Sequence, residues 1–370
     1  MLGGLGALLS ACGGGLAPGQ TLPPDPSLPV PTPIANPANG NAPPARIGPA
    51  VGFDPISRSL IMFGGAPATG TNLATGHPAS RLDDTWAWDG QKWTQLQPKT
   101  TPPALFGARM ITDPDTQQLL LVSGAGDVSG TALQQEGMWE WDGSTWSRVS
   151  DNPVQVPFPA AATDPVRNQA VISGFDPAYP SACAVTCIPP PQYDQGGDYV
   201  FTKGDSGWNT ASGYAPGWAR AATAYDPVSQ RIISTAGSKQ NGVQWTYAWD
   251  RKAWSQIIRS STTTASPDPN QPLGPCDAST DEHAQRIVMA CASATGPTGG
   301  VTWTFDGKAW QPVSGADTPA IPADPSITGR AGVLTLAYDP AIPAVVMLIG
   351  GASGSEAMAA WNGSSWSQVS

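Results

Sequence analysis

Charge is scarce in this chain. Of its 370 residues only 12% are Asp, Glu, Lys or Arg, and the balance is acidic, with a formal net charge of −10. Such a surface excludes nucleic acid as a main partner, because neutralising phosphates takes clustered Lys and Arg. A polybasic grip on anionic lipid fails for the same reason. Histidine is scarcer still, with two in the whole chain. A His-based catalytic triad or an imidazole metal cage has almost nothing to draw on. No stretch beyond the first dozen residues sustains a helical 3.6-residue period. No phosphate-binding glycine loop and no nucleophile–base pair stands out, and no metal or cofactor is expected.

Turn formers and tryptophan are plentiful: Gly 42, Pro 40 and Trp 15. Many short strands joined by tight turns suit that composition. One unit organises the chain, Trp139-Glu140-Trp141-Asp142-Gly143-Ser144-Thr145-Trp146. Trp86 to Trp93 is nearly a copy, and Tyr247 to Trp254, Trp303 to Trp310 and Trp361 to Trp366 keep its shape. Tyr199 to Trp208 is the most degraded, with two extra residues in its turn. Rings at alternate positions share one face of a strand. Asp-Gly or Asn-Gly then turns the chain into a tight hairpin, whose second strand carries a closing tryptophan. Truncating one such buried ring to Ala is expected to cost about 3–5 kcal/mol.

The closing tryptophans 93, 146, 208, 254, 310 and 366 recur at roughly 55 residues, a spacing that predicts β-propeller blades. Each repeat reads as four antiparallel strands, a to d. Strand a is rich in small residues and ends at Asp-Pro (Asp54, Asp113, Asp164, Asp226, Asp339), with Asp281-Glu282 as the exception. Strand b is a continuous apolar run, such as Leu119-Leu120-Leu121-Val122, which implies burial on both faces. A two-sheet sandwich lacks this period, and solenoid repeats are shorter.

This combination resembles the Kelch-like propellers: strand a to Asp-Pro, an apolar strand closed in two repeats by Gly-Gly (Gly64-Gly65, Gly350-Gly351), then W-x-W-D-G-x-x-W. The resemblance covers residues 44–370 and implies an all-β, six-bladed propeller of four-stranded antiparallel blades. The galactose oxidases of that group use a copper site with two histidines and a Tyr–Cys cross-link. His77 and His283 fall on opposite faces here and no cysteine is free, so copper oxidation is not expected. His77, with Arg81, Asp83 and Asp84, reads as a solvated loop. The Asp-box pattern of sialidases, S-x-D-x-G-x-x-W, is not kept.

The five cysteines divide between two expected disulfides and one lipid attachment. Aligning Asp226/Arg231 with Asp281/Arg286 places Cys276 and Cys291 equidistant from one a–b turn. They should face each other on paired strands, at about 4.5–5.5 Å between Cα atoms, within reach of a disulfide. Closing that loop contributes about 3 kcal/mol in the chain-entropy picture. Cys183 and Cys187 form the second pair, and both imply an oxidising compartment. Residues 1–11 are apolar but too short to cross a bilayer, which takes about 20; they suit the core of a secretion signal. Leu9-Ser10-Ala11-Cys12 resembles the lipobox of bacterial lipoproteins, although no Lys or Arg precedes the apolar run. Residues 1–12 are therefore read as a lipoprotein signal ending at Cys12. Residues 13–43 are read as a disordered Pro/Gly-rich linker, and the head is expected outside the cytoplasm at the bacterial envelope.

In an a-b-c-d blade the short a–b and c–d turns share one face, and the long b–c and d–a connections share the other. Segments 66–82, 125–137, 175–197, 258–273 and 315–329 belong to the long-loop face, where binding is expected. Arg46, Arg109, Arg220 and Arg330 lie near the starts of four a strands. Convergence at the pore mouth would suit an anionic or polyhydroxylated ligand, with Trp218 (and Phe106 and Tyr214 nearby) available to stack on a sugar. The opposing reading pairs these arginines with carboxylates between blades. The favoured function is a non-catalytic, surface-anchored monomer that binds a protein or a glycan. The alternatives are an acidic-sugar epimerase on a six-bladed Kelch-like scaffold and an assembly platform without a small ligand.

Overall fold

The structure, a computed structural model, describes residues 42–67, 80–122, 137–150, 159–174, 195–202, 208–216, 221–237, 244–259, 273–293, 301–313, 334–349 and 357–369. A two-residue strand β1 (Arg46–Ile47) precedes the first repeat, whose strands are β2 (Ala50–Asp54), β3 (Ser59–Phe63), β5 (Thr85–Trp88) and β6 (Trp93–Leu96); β4 (Ala66–Pro67) pairs with β1. The second repeat gives β7 (Arg109–Thr112), β8 (Leu119–Val122), β9 (Met138–Trp141) and β10 (Trp146–Ser150). The third gives β11 (Ala160–Asp164), β12 (Gln169–Gly174), β13 (Gln195–Thr202) and β14 (Trp208–Pro216). The fourth gives β15 (Ala222–Asp226), β16 (Arg231–Gly237), β17 (Gln244–Trp249) and β18 (Trp254–Arg259). The fifth gives β19 (Leu273–Asp281), β20 (Arg286–Ser293), β21 (Val301–Phe305) and β22 (Trp310–Pro312). The last gives β23 (Thr335–Asp339), β24 (Ala344–Ile349), β25 (Ala357–Trp361) and β26 (Trp366–Val369). Among the described residues these make six four-stranded antiparallel sheets, each in the order a-b-c-d, and the β1–β4 pair.

The b strands explain how the sheets stack. Successive side chains of a strand point to opposite faces. Leu60 and Met62 pack with Val346, Leu348 and Met358 of the last sheet, while Ile61 and Phe63 pack with Leu119, Leu121, Trp141 and Trp146 of the second. Leu120 and Val122 turn the other way, toward Ala170 and Ile172 of the third. The same arrangement joins the third sheet to the fourth, the fourth to the fifth, and the fifth to the last. The sheets therefore close on themselves, with the a strands β2, β7, β11, β15, β19 and β23 each touching the next around the centre. All four strands of the last sheet come from the C-terminal repeat. Side-chain packing closes that seam, helped by the Thr335 hydroxyl, which donates to the Pro49 carbonyl at 3.1 Å.

The hairpin motif does what its residues dictate. The second ring of each repeat lies directly opposite the closing tryptophan: Trp88 with Trp93, Trp141 with Trp146, Trp249 with Trp254, Phe305 with Trp310, Trp361 with Trp366. The Asp142 carboxylate accepts the N–H groups of Ser144 and Thr145 across the turn. Chiefly the Thr145 N–H holds it below the usual carboxylate range. Gly143 and Gly307 sit at φ 92° and 89°, and a Cβ there would meet Ile56 at 2.9 Å and Val228 at 2.7 Å. Those two residues belong to a–b turns of the preceding sheets, so c–d and a–b turns do share one face.

A second contact between neighbouring sheets had no counterpart in the sequence reading. The closing indole of one repeat donates to a threonine three residues before the second ring of the previous repeat. Trp146 Nε1 reaches Thr85 Oγ1 at 3.0 Å, Trp310 reaches Thr246 at 3.0 Å, and Trp366 reaches Thr302 at 2.8 Å, all buried. Thr302→Val removes the acceptor and strands a buried N–H. Urea unfolding should show a loss of about 1–3 kcal/mol; an unchanged midpoint would mean that the bond contributes nothing.

Candidate functional site

The centre of the ring is lined by the a strands. Counting four residues back from each turn aspartate gives Ala50, Arg109, Ala160, Ala222, Asp277 and Thr335. Four of these positions are small, and the long side chain of Arg109 crosses the space they leave. Its Nη1 donates to Asp277 Oδ2 at 2.6 Å, linking the second sheet to the fifth. Asp277 is 2% exposed and also accepts the N–H groups of Ala278 and Leu336, both at 2.9 Å. One carboxylate thus ties together the second, fifth and last sheets. Beside the pair lies a cavity of about 50 Å³, lined among others by Val51, Met110, Ala161 and Thr223. That holds a few waters and falls well short of the roughly 300 Å³ of a small-ligand pocket. A sugar ring does not fit there.

Arg46 stands elsewhere. It is fully buried in β1, whose only ladder partner among the described residues is β4, with both terminal nitrogens on Asp84 at 2.6 and 2.9 Å. It also donates to the carbonyls of Gly64 and Pro44. Trp86 Nε1 donates to the same Asp84 at 2.7 Å. Burial pushes the Asp84 carboxyl up, but the Arg46 guanidinium and the Trp86 indole outweigh it and hold the group below the usual range. Of the two arginines in that group that lie among the described residues, Arg109 is at the cavity and Arg46 is not. Arg220 and Arg330 lie outside the described residues, as do Trp218, His77, Cys12, Cys183 and Cys187. Phe106 is fully buried beneath Gly48 and offers no stacking face. His283 is exposed in an a–b turn.

Cys276 and Cys291 are direct register partners and form a disulfide, with Cα atoms 4.0 Å apart, somewhat closer than the spacing expected from the turn alignment. The bond lies at the far end of β19 and β20 from the Asp281–Arg286 turn, on the long-loop side. No group of three or more metal-ligating side chains occurs among the described residues. Sequence reasoning missed Asp277 and Asp84 as partners. The alignment that paired the cysteines could have found Asp277, since it shares Arg109's register.

No protein-family model matches the chain, and neither does any curated protein. Solved structures do match over nearly its whole length. SapL1 lectin in complex with alpha methyl fucoside superposes with a TM-score of 0.53 at 15% identity, covering 88% of this chain and 95% of the lectin. A mutant of Aleuria aurantia lectin bound to Fucalpha1-6GlcNAc gives 0.53 at 11% identity over 88% and 97%. YjhT gives 0.51 at 13% identity over 89% and 98%. The fold is a β-propeller. Its four-stranded antiparallel sheets are the blades, and at these identities the likeness establishes the fold alone.

Proposed function

We propose that this chain is a non-catalytic, glycan-binding propeller of six Kelch-type blades. It is exported across a bacterial membrane and held at the envelope by lipid on Cys12. The observation that carries the reading is the likeness to lectins solved with fucosides bound, which spans nearly all of both chains. Support for the Kelch assignment comes from the Asp-Pro turn and the W-x-W-D-G-x-x-W hairpin within a repeat of roughly 55 residues. The ligand sits on the long-loop face, since the central cavity, about 50 Å³, is too small for it. The chain works as a monomer and needs no metal or cofactor.

A glycan array probed with the purified, labelled protein tests the binding. Fucosylated or other defined glycans should light up. A silent array beside a positive surface-protein array would move the assignment to a protein ligand. Anchoring is tested separately by Cys12→Ser, which should shift the expressed protein from the detergent phase to the aqueous phase; unchanged partition contradicts the lipid anchor.

A further inference from the structure

We propose that the Cys276–Cys291 disulfide is a redox-operated latch for the ring centre. When oxidised it holds Asp277, and through Asp277 the ion pair that spans the ring; a dithiol releases both. Three observations carry this. The first is position: Cys276 is the residue before Asp277, and its partner Cys291 is the residue after Ala290, which faces Asp277 across the ladder. The second is that the ladder breaks just beyond. β19 and β20 pair at Leu273–Ser293, then the register shifts before Cys276, and the intervening Gly274-Pro275 has no paired partner. Proline donates no N–H to a ladder, and the β19–β20 pairing is interrupted at this end of strand a. The disulfide bridges the two strands there, one residue from the carboxylate.

The third observation is what Asp277 holds. Arg109 Nη1 and the Leu336 N–H both converge on its Oδ2, one from across the ring and one from the adjoining sheet. Leu336 lies in β23, so movement of Asp277 leaves that amide without its acceptor and Arg109 without its ion pair. Cys276 is half-buried while Cys291 is fully buried, so an incoming thiolate meets Cys276 Sγ. Attack there breaks the Sγ–Sγ bond, forms a mixed disulfide with Cys276, and releases Cys291 as a thiolate that takes up a proton. The reagent's second thiolate then attacks its own sulfur in the mixed disulfide and frees Cys276. Two electrons pass to the protein, and the dithiol leaves as a disulfide.

Hydrogen exchange on the intact protein tests the latch, with reduction verified by alkylation of both cysteines. In the oxidised protein the Leu336 amide should be protected. Reduction, or Cys276→Ser with Cys291→Ser, should speed its exchange at least tenfold, while the Leu120 and Ile233 amides of the second and fourth sheets stay protected. In Asp277→Ala, which has no side-chain acceptor, the Leu336 amide should exchange fast in both redox states. Unchanged Leu336 protection after verified reduction would overturn the proposal. So would loss of protection in all sheets together, because the disulfide would then serve global stability alone.

Discussion

Replacing Asp84 with alanine should lower the stability of the fold by about 3–5 kcal/mol, the usual consequence of breaking a buried ion pair by removing one partner. The reason is local. Arg46 has no exposed surface, and deleting the carboxylate takes two charge-assisted hydrogen bonds from a guanidinium held in the interior. Trp86 Nε1 loses its acceptor at the same time. The pair also closes the β1–β4 edge, where Gly65 donates to the Leu105 carbonyl and Gly107 to the Gly48 carbonyl, joining the first repeat to the second. Denaturant unfolding followed by tryptophan fluorescence measures the loss. A double variant, Arg46→Met with Asp84→Leu, should recover much of it, because an apolar pair of similar volume removes both charges. The pH dependence follows from the lowered Asp84 pKa. Its contribution is complete above the ordinary value of 3.8 and is lost as pH falls through the lower folded value.

The second large effect has the opposite sign. Six turn aspartates are buried, and most are well satisfied; Asp54 accepts the N–H groups of Ile56 and Ser57 and the Ser57 hydroxyl. Asp339 accepts the Ala341 N–H, and its Oδ2 has no partner among the described residues. This turn departs from the other five at the fourth position after the aspartate. Five repeats put a residue with positive φ four positions after the aspartate, namely Arg58, Gln117, Asn168, Gln230 and Gln285, whereas the last has Pro343. Proline fixes φ near −65°, so this turn cannot curl around the carboxylate in the same way. Burial pushes the Asp339 carboxyl up to about 6. Tyr338 beside it is pushed up to about 12, by burial first and then by Glu282, Asp281 and Asp339.

A raised carboxyl binds its proton more tightly in the folded than in the unfolded chain, so stability declines as pH rises between 3.8 and about 6. The difference corresponds to about 3 kcal/mol. Asp339→Asn keeps an acceptor for Ala341 and cannot ionise. Its stability relative to the parent should therefore rise by roughly 2–2.5 kcal/mol between pH 4 and pH 7. Parallel stability curves for the two proteins across that range would refute the buried charge.

The fold was legible because its signals are local and repeated. Trp141, Asp142, Gly143 and Trp146 lie within one hairpin, and each specifies its own part: ring, turn acceptor, positive φ, opposed ring. The Cys276–Cys291 register was legible because Asp226/Arg231 and Asp281/Arg286 mark equivalent turns, and both pairs are direct partners in their ladders. The site was less legible, because its contacts are made between sheets. Arg109 meets Asp277 from 168 residues away, and nothing beside either residue announces the other. Arg46 and Arg109 look alike in sequence, each at the start of an a strand. One enters the ring centre, and the other, in the short strand β1, is consumed by Asp84 just ahead of β5. The threonine–tryptophan bonds had a readable signal, a threonine three residues before the second ring in the first, fourth and fifth repeats. The meaning of that signal required knowing which sheet follows which.

Carbohydrate recognition itself is tested most directly by calorimetric titration of the purified chain with methyl α-fucoside and a panel of other simple glycosides. Saturable heat with at least one of them is the result this account predicts. A folded chain, with its disulfide formed and a sharp unfolding transition, that gives no heat with any glycoside would contradict it.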